Sequence, residues 1–349
     1  MAKRTNVEPY RAAYKQQVVE LLGHIWKGTT FEERKTRFEW RYEQNPFTDQ
    51  PVAFVAVKNE RVVGLRAFTV QRLTVADASF LACSPSDAIV HPDARRQGVF
   101  TAMTREALRA LEESDISMYL NLSSNEKSTP GYLKLGWVSV RPKRYLYRPF
   151  MTALIPEVIG RSRAPSQTMP VVQRHKAGGE FQLTETVHGD ELAACGSRCD
   201  YLQNQRSEAF YRWRYERAHK QFQILYYRNK AALDGYFILR SLRNSRFEIV
   251  EFDYEDLDAL QILLSHAQKL LRMSLLKVCD VALLPEEKSL FERNGFWQEP
   301  HWLHALRGGE PQPILVRPTR VDYEEEDFYL NGRDMRDITN WRLQVADVH

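Results

Sequence analysis

The segment SPSDAIVHPDARRQGVFTAMTREALRAL carries residue types that suit a phosphate-rich ligand. A β-rich run ends at Val90, a turn containing proline follows, and Arg95 and Arg96 precede Gly98, after which an amphipathic helix begins at once. The N-terminus of a helix presents unpaired backbone N–H groups and the positive end of the helix dipole. Next to two arginines, this geometry predicts a pyrophosphate site. The glycine patterns of P-loops and of dinucleotide-binding folds are both absent from the segment.

The segment also resembles the acyl-CoA motif of the GNAT superfamily, the acyl-CoA-dependent N-acetyltransferases. In that family a strand and V-x-P are followed by [RQ]-x-x-G-x-[GA] and a helix, which here matches Val90, Pro92 and residues 95–100. Phe100 departs from the pattern, because the family usually has Gly or Ala at that position.

A second block is similar to the same family. Family members place an Asn seven residues before a Tyr and the Tyr four residues before a Gly-aromatic pair, a spacing that Asn125, Tyr132, Gly136 and Trp137 reproduce. The two blocks occur in the family's order, and the resemblance covers residues 1–147.

The resemblance implies acetyl-CoA as the co-substrate, no metal, and direct attack of an amine on the thioester. It assigns acyl-CoA binding to Ile89, Val90, Arg95, Arg96, Gln97, Gly98, Val99, Phe100 and Asn125. A backbone N–H near Ile89 or Val90 would stabilise the oxyanion, and the phenol of Tyr132 would protonate the departing thiolate. The implied acceptor is a primary amine of a small molecule, such as an amino sugar, an aminoglycoside or an amino-acid derivative. Transfer of a longer acyl group and a catalytically silent acyl-CoA-binding or interaction module are the alternatives.

The catalytic base is the least determined group. The amine must lose a proton before it attacks, and Asp87 is the nearest carboxylate on the cofactor strand. Side chains alternate along a strand, so Asp87 could face away from the cleft. Water relayed through Ser84 or Ser86 is the alternative, and His91 is expected to be a surface histidine.

Apolar spacing in the first half predicts two helices, a hairpin over residues 52–70, a strand over 84–90, a helix over 99–113 and a strand over 117–124. This order indicates an α/β layer fold. With the resemblance, it implies an α/β (α+β) protein of two tandem GNAT-like domains, each a mostly antiparallel twisted sheet flanked by helices.

The tetrapeptide WRYE occurs at residues 40–43 and again at residues 213–216. The second occurrence is followed by a hairpin over 222–240, a strand, a helix over 257–271 and another strand, so the chain contains an approximate internal repeat. We expect the Tyr of each copy to pack on its sheet. The Trp would cover a loop or the other domain, or Trp40 would line a substrate cleft.

The expected division is a catalytic domain at 1–147, a junction at 148–172 and a degenerate GNAT-like domain at 173–349. The second copy has no glycine or basic residue in its strand-to-helix loop, and it has Phe291 at the position that matches Tyr132. The sequence therefore predicts a single acyl-CoA site, in the first copy.

The bulk composition sets limits on the class of protein. A chain of 349 residues with 43% hydrophobic residues is long enough for two globular domains. A net charge of +4 without a basic run gives no sign of a nucleic-acid partner, and no leader or membrane span is evident, which favours a soluble cytoplasmic protein. Cys195 and Cys199, in C-x3-C spacing near His188, are expected to be ordinary thiols and not a zinc site.

Overall fold

The computed structural model describes residues 5–150, 171–174, 179–196, 200–216, 222–242, 246–271, 273–300 and 312–348. The chain divides into two compact units. Unit 1 comprises Met1–Arg141 and Pro313–Asp337, and unit 2 comprises Pro142–Gln312 and Ile338–His349. Residues 313–337, which the expected division assigned to the second half, therefore belong to unit 1. Most of the predicted junction, residues 151–170, lies outside the described residues.

The described elements are numbered in chain order. The strands are β1 (Asn6–Pro9), β2 (Ala53–Lys58), β3 (Arg61–Val75), β4 (Ala78–Val90), β5 (Ile116–Asn121), β6 (Val138–Pro142), β7 (Tyr145–Pro149), β8 (Val171–Arg174), β9 (Gly179–Thr184), β10 (Gln203–Asn204), β11 (Phe222–Asn229), β12 (Ala232–Ser241), β13 (Arg246–Tyr254), β14 (Leu275–Cys279), β15 (Trp297–Gln298), β16 (Pro313–Pro318), β17 (Tyr329–Leu330) and β18 (Arg333–Asp334). The helices are α1 (Lys15–Leu22), α2 (Phe31–Phe38), α3 (Val99–Glu112), α4 (Thr129–Lys134), α5 (Gly189–Ala194), α6 (Glu208–Tyr211), α7 (Leu257–Leu271) and α8 (Pro285–Arg293).

The sheet of unit 1 has the order β1-β2-β3-β4-β5-β16-β6. Neighbouring strands from β1 to β4 are antiparallel, β4 and β5 are parallel, and β16 is antiparallel to β5. Helix α3 makes the crossover between β4 and β5 and packs its apolar face on the sheet, with Val99, Met103, Ala107, Leu108 and Leu111 buried. This crossover fixes the start of α3 at the end of β4, the position where the sequence predicts the phosphate site.

The sheet of unit 2 has the order β15-β7-β14-β13-β12-β11-β9-β8. It repeats the plan of unit 1, because β13 and β14 are parallel and α7 connects them, whereas the β11–β12 and β12–β13 pairs are antiparallel. The predicted class is thus confirmed: a mixed α/β chain whose two mostly antiparallel sheets carry helices.

The WRYE repeat forms the same local structure in both units. Each copy lies in a single turn of π-helix, over Glu39–Glu43 and over Arg212–Glu216. Tyr42 and Tyr215 are buried, as the sequence predicts, and both tryptophans are half-buried. π-Helical turns are rare, so their occurrence at both copies indicates a shared structural task.

Candidate active site

The loop between β4 and α3 has two residues with left-handed backbone. Gly98 is the N-cap of α3 and has φ of +74°, and Arg96 has φ of 61°. The positive φ favours glycine at this position. A Cβ atom at Gly98 would meet nothing within 4 Å, so the space in front of the loop is open. Successive backbone N–H groups in such a turn form a concave anion site at the positive end of the helix dipole.

Positive charge surrounds this loop. Arg95, Arg96 and Gln97 are exposed, and the Arg95 Nε donates to the Val90 carbonyl at 3.1 Å. Gln97 links two sides of the loop, because it donates to the Asp93 carbonyl at 2.9 Å and accepts from Lys58 Nζ at 3.3 Å. Lys58 is not among the residues predicted from the sequence. Its position in the β2–β3 hairpin turn, one strand away from the loop, could not be read from local spacing.

Strand β4 carries a bulge before it reaches this loop. Arg66 pairs with Ala88, whereas Phe68 pairs with Pro85, so Ser86 and Asp87 together face a single residue of β3. Bulges reorient side chains and often lie beside active sites. Beyond the bulge, Ile89 is buried and Val90 is half-buried, and both pair with β3 at Leu65 and Gly64.

The two central strands of unit 1, β4 and β5, are paired over only a few residues. The parallel pairing of β4 with β5 runs from Leu81–Ile116 to Cys83–Tyr119. After that point Ser84 Oγ donates to the Leu120 carbonyl at 2.5 Å, and in the described part of the chain no further register pair joins the two strands. A cleft between diverging strands is where the resemblance places the thioester.

Tyr132 lies on α4 and is 6% exposed. Its phenol oxygen accepts a hydrogen bond of 2.8 Å from Arg66 Nη2. Trp137 packs on the phenol ring edge to face, with centroids 5.0 Å apart. Gly136 has φ of +87° and allows the chain to turn back, so that Trp137 reaches Tyr132. The tyrosine and the Gly-aromatic pair of the predicted block therefore pack against each other.

Asn125 caps the turn that leads into α4. Its Oδ1 accepts from the backbone N–H of Lys127 at 3.0 Å and of Ser128 at 3.2 Å. Its carbonyl oxygen accepts from the N–H of Thr129 at 2.8 Å. The contacts of Asn125 therefore orient the helix that presents Tyr132, and its side chain is exposed.

Asp87 is held in a buried polar cluster by the first WRYE copy. Its Oδ2 accepts from the Tyr42 hydroxyl at 2.6 Å and lies 3.3 Å from Arg41 Nη1. Arg41 Nε in turn donates to Thr69 Oγ1 at 3.3 Å, and Thr69 bonds to the Ser86 hydroxyl at 2.7 Å. Burial raises the pKa of Tyr42 well above its usual range, so this phenol remains a hydrogen-bond donor.

Phe100 and His91 flank the same region. The ring of Phe100, the residue that departs from the family pattern, has its centroid 5.6 Å from the Arg66 guanidinium carbon. His91 closes the turn before the loop, since its Nδ1 accepts from the Asp93 N–H at 3.4 Å, and its ring packs edge to face on His24.

The equivalent helix terminus in unit 2 is capped by a carboxylate. Asp256 Oδ1 accepts from the Ala259 N–H at 2.8 Å at the start of α7. The neighbouring acids also have partners within the unit: Glu251 with Arg206, Asp253 with Arg342, and Glu255 with the Gly196 N–H. A carboxylate of unit 2 itself thus caps the start of α7, the position equivalent to the Gly98 loop of unit 1.

The closing block of unit 2 repeats that of unit 1 without the hydroxyl. Phe291 and Phe296 pack edge to face with centroids 4.9 Å apart, as Tyr132 and Trp137 do at 5.0 Å. The interplanar angle is 67° in both pairs. Unit 2 therefore has the packing of this block and lacks the phenol hydroxyl.

One of the two cysteines in C-x3-C spacing lies among the described residues. Cys195 is a buried free thiol, and Cys199 lies outside the described residues. Among the described residues, no group of three or more His, Cys, Asp or Glu side chains has the arrangement of a metal site. None of the described helices has the length and apolar character that crossing a membrane requires.

Comparisons with known proteins identify a family model for the first part of the chain and similar solved structures for the fold. Residues 6–140 match the family model for the acetyltransferase (GNAT) domain. A search of curated proteins finds no match. A probable N-acyltransferase of unknown function from Enterococcus faecalis is a similar solved structure, with a TM-score of 0.65, 15% identity, and coverage of 91% of this chain and 73% of its own.

Two further solved structures share the fold. The GCN5-related N-acetyltransferase from Anabaena variabilis has a TM-score of 0.59, with 14% identity over 91% of this chain and 74% of its own. Eis1 from Mycobacterium abscessus has a TM-score of 0.59, with 13% identity over 91% of this chain and 74% of its own. At these identities the similarity shows the fold.

Proposed function

We propose that this chain, whose residues 6–140 match the acetyltransferase (GNAT) domain, transfers an acetyl group from acetyl-CoA to a primary amine of a small molecule. The observation that carries the proposal is the presence, within one unit, of an open left-handed helix N-terminus at Gly98 and a buried phenol at Tyr132. The first suits a pyrophosphate and the second suits a departing thiolate. At the equivalent positions of unit 2, Asp256 caps the helix and Phe291 replaces the tyrosine.

The residues of the loop fit the pyrophosphate of coenzyme A. The backbone N–H groups around Gly98 and Val99 would donate to its oxygens, since no side chain of Gly98 stands in front of them. Arg95, Arg96 and Lys58 would add positive charge to the rim of the site. Exposed cations attract a polyanionic ligand over a distance of about a Debye length, roughly 8 Å at physiological salt.

The transfer needs three functions from the protein. A neutral amine must face the thioester, whose carbonyl carbon supplies the electrophile. A backbone N–H at Ile89 or Val90 would then donate to the developing oxyanion, an interaction typically worth about 3 to 4 kcal/mol. Tyr132 would give its proton to sulfur as the carbon–sulfur bond breaks, so that coenzyme A leaves as a thiol.

The contacts of Asp87 support a structural role more than a role as the base. Its carboxylate is bound by Arg41 and Tyr42, which hold it in place at the bulge. Ser86 is only half-buried and lies next to Asp87 on β4. We therefore favour water relayed through Ser86 as the route by which the amine loses its proton.

The decisive experiment measures free-thiol release from acetyl-CoA in the presence of amino sugars, aminoglycosides and amino-acid derivatives. Release that depends on one class of amine, with the N-acetyl product seen by mass spectrometry, would support the proposal. Faster release from longer acyl-CoA thioesters would assign a longer acyl donor. Binding of acetyl-CoA without amine-dependent release from any donor would make unit 1 a silent binding module and overturn the proposal.

A further inference from the structure

We propose that Arg66 is a positioning residue that orients the hydroxyl of Tyr132 and stabilises its phenolate while the thiolate is protonated. This inference rests on the proposed acyl transfer and assigns a role to a residue outside both motif blocks. Arg66 lies on β3, and its side chain is 0% exposed. Its Nη2 donates to the Tyr132 oxygen at 2.8 Å.

The Arg66 side chain is unusual because its charge has no counterion among the described residues. Its Nε and Nη1 atoms are buried and have no hydrogen-bond partner there. A buried charge without a partner is destabilising, and an apolar side chain of similar size is often neutral or stabilising in its place. A protein that keeps such a group gives up stability for it, which is the pattern of a functional residue.

Aromatic rings replace a carboxylate around this cation. The guanidinium carbon lies 4.7 Å from the ring centroid of Phe68, 5.5 Å from that of Tyr132 and 5.6 Å from that of Phe100. Ring faces attract a cation within about 6 Å without neutralising it. This contact gives a physical reason for the bulky Phe100 at a position where the family usually has Gly or Ala: its ring covers the guanidinium of Arg66.

The hydrogen bond also fixes the direction of the phenol. Because the Tyr132 oxygen accepts from Arg66, its own hydrogen points elsewhere, and no described residue accepts it. That proton is available for a ligand. A neutral or anionic partner in place of Arg66 could take the proton itself, whereas a guanidinium has only donors.

Unit 2 provides an internal comparison. In unit 1 the residue after Asp87, Ala88, pairs with Arg66 of β3. In unit 2 the residue after Glu251, Phe252, pairs with Phe237 of β12, which is also fully buried. The copy that has phenylalanine in place of Tyr132 thus also has an apolar residue in place of Arg66, as expected if the cation serves the phenol and not the fold.

The proton and electron balance is simple. The amine nitrogen forms a bond to the carbonyl carbon, the carbon–sulfur bond breaks, and sulfur takes the proton of Tyr132. The electron pair of that O–H bond remains on the phenolate oxygen, which then faces the positive charge of Arg66. The proton lost by the amine, carried by water, restores the phenol.

The test compares Arg66→Met, Arg66→Lys, Tyr132→Phe and the Arg66→Met/Tyr132→Phe double variant in the full chain. We expect Arg66→Met to lower kcat by about 10-fold or more, within the roughly 10²-fold loss expected for Tyr132→Phe. The affinity for acetyl-CoA, measured by calorimetry, should stay within about 3-fold of wild type, because the pyrophosphate loop is intact. Arg66→Lys, which keeps the charge, should retain more turnover than Arg66→Met.

Two further readouts separate this role from a structural one. In the Tyr132→Phe background, Arg66→Met should cause no additional loss of kcat, and the melting temperature of Arg66→Met should equal or exceed that of wild type. An equal fold-loss in both backgrounds, wild-type kcat in Arg66→Met, or failure of Arg66→Met to fold would each overturn the inference. If Tyr132→Phe keeps full turnover, the acid role in the proposed function fails instead.

Discussion

Asp87 accepts a hydrogen bond from Tyr42 at 2.6 Å, and this contact explains why WRYE occurs twice. In unit 2 the hydroxyl of Tyr215 makes the same kind of bond to Glu251 on β13. Both carboxylates lie on the central strand of their sheet, at or beside a bulge. The tyrosine of each repeat therefore anchors a π-helical turn to a strand, and the shared task of the motif is structural in both units.

Asp87→Asn should lower the free energy of unfolding by about 3 kcal/mol or more. Arg41 is only 5% exposed and would remain buried without its charged partner. Tyr42→Phe removes one hydrogen bond to a charged group and should cost about 1.5 to 3 kcal/mol. Urea unfolding followed by circular dichroism gives both values.

The same pair of variants tests whether Asp87 is the base. If its role is structural, turnover under conditions where each variant is folded should be similar in Asp87→Asn and Tyr42→Phe. Turnover that falls by roughly 10²-fold or more in Asp87→Asn alone would instead identify Asp87 as the base.

Gly98→Val should weaken acetyl-CoA binding by at least about 10-fold. A β-branched residue at φ of +74° is strained, at a cost of about 1 to 3 kcal/mol, and its side chain would project into the open space before the loop. Gly332→Val is a matched control, because Gly332 has φ of +75° and equally open surroundings in the turn between β17 and β18. Titration calorimetry should show wild-type affinity for acetyl-CoA in Gly332→Val, and thermal unfolding should show a similar loss of stability in both variants. If the two variants bind acetyl-CoA with equal affinity, Gly98 is not part of the binding site.

Much of the local structure could be predicted from the sequence. The helix expected over residues 99–113 is Val99–Glu112, and the helix expected over 257–271 is Leu257–Leu271, because apolar periodicity is a local signal. The strand expected from residue 84 is longer than predicted and begins at Ala78. The first four residues of the strand, 78–81, are less buried than the four that follow them.

Contacts between distant parts of the chain could not be predicted. Strand β16 lies beside β5, although almost 200 residues separate Asn121 from its partner Leu315. Periodicity predicts a strand but not its neighbour. For the same reason the role of Arg66 could not be predicted: an arginine within a β-rich run is usually interpreted as an outward-facing residue, and only the hydrogen bond in the folded chain shows that it reaches Tyr132.

Acetyl-CoA should bind with a stoichiometry of one per chain. The helix terminus at Gly98 is open, whereas that of α7 is capped by the Asp256 carboxylate, which would repel a pyrophosphate. Calorimetry on the full chain measures this stoichiometry directly. In Gly98→Val the affinity of this one site should fall, and no second site should become detectable. A stoichiometry of two would contradict the assignment of unit 2 as a copy without an acyl-CoA site.

A fragment of residues 1–148 should aggregate or melt well below the full chain, because it lacks β16 of its own sheet. Ile314, Leu315 and Val316 are fully buried on that strand, and burial of each contributes roughly 1.5 to 3 kcal/mol. Their loss removes a large share of a typical domain stability of about 5 to 15 kcal/mol. It also leaves the facing edge of β5 unpaired, and an exposed strand edge promotes aggregation.

The matched control joins residues 1–141 to residues 313–337 through a short Gly/Ser linker. The linker can be short, because the Lys143 N–H donates to the Gln312 carbonyl at 3.0 Å and the two ends are therefore close. This version restores β16 to its position between β5 and β6, and we expect it to be more soluble and to melt at a higher temperature than the fragment of 1–148. Thermal denaturation and size-exclusion chromatography of the two proteins make the comparison. A fragment of 1–148 that is monomeric, stable and active without residues 313–337 would show that β16 is dispensable for the catalytic unit.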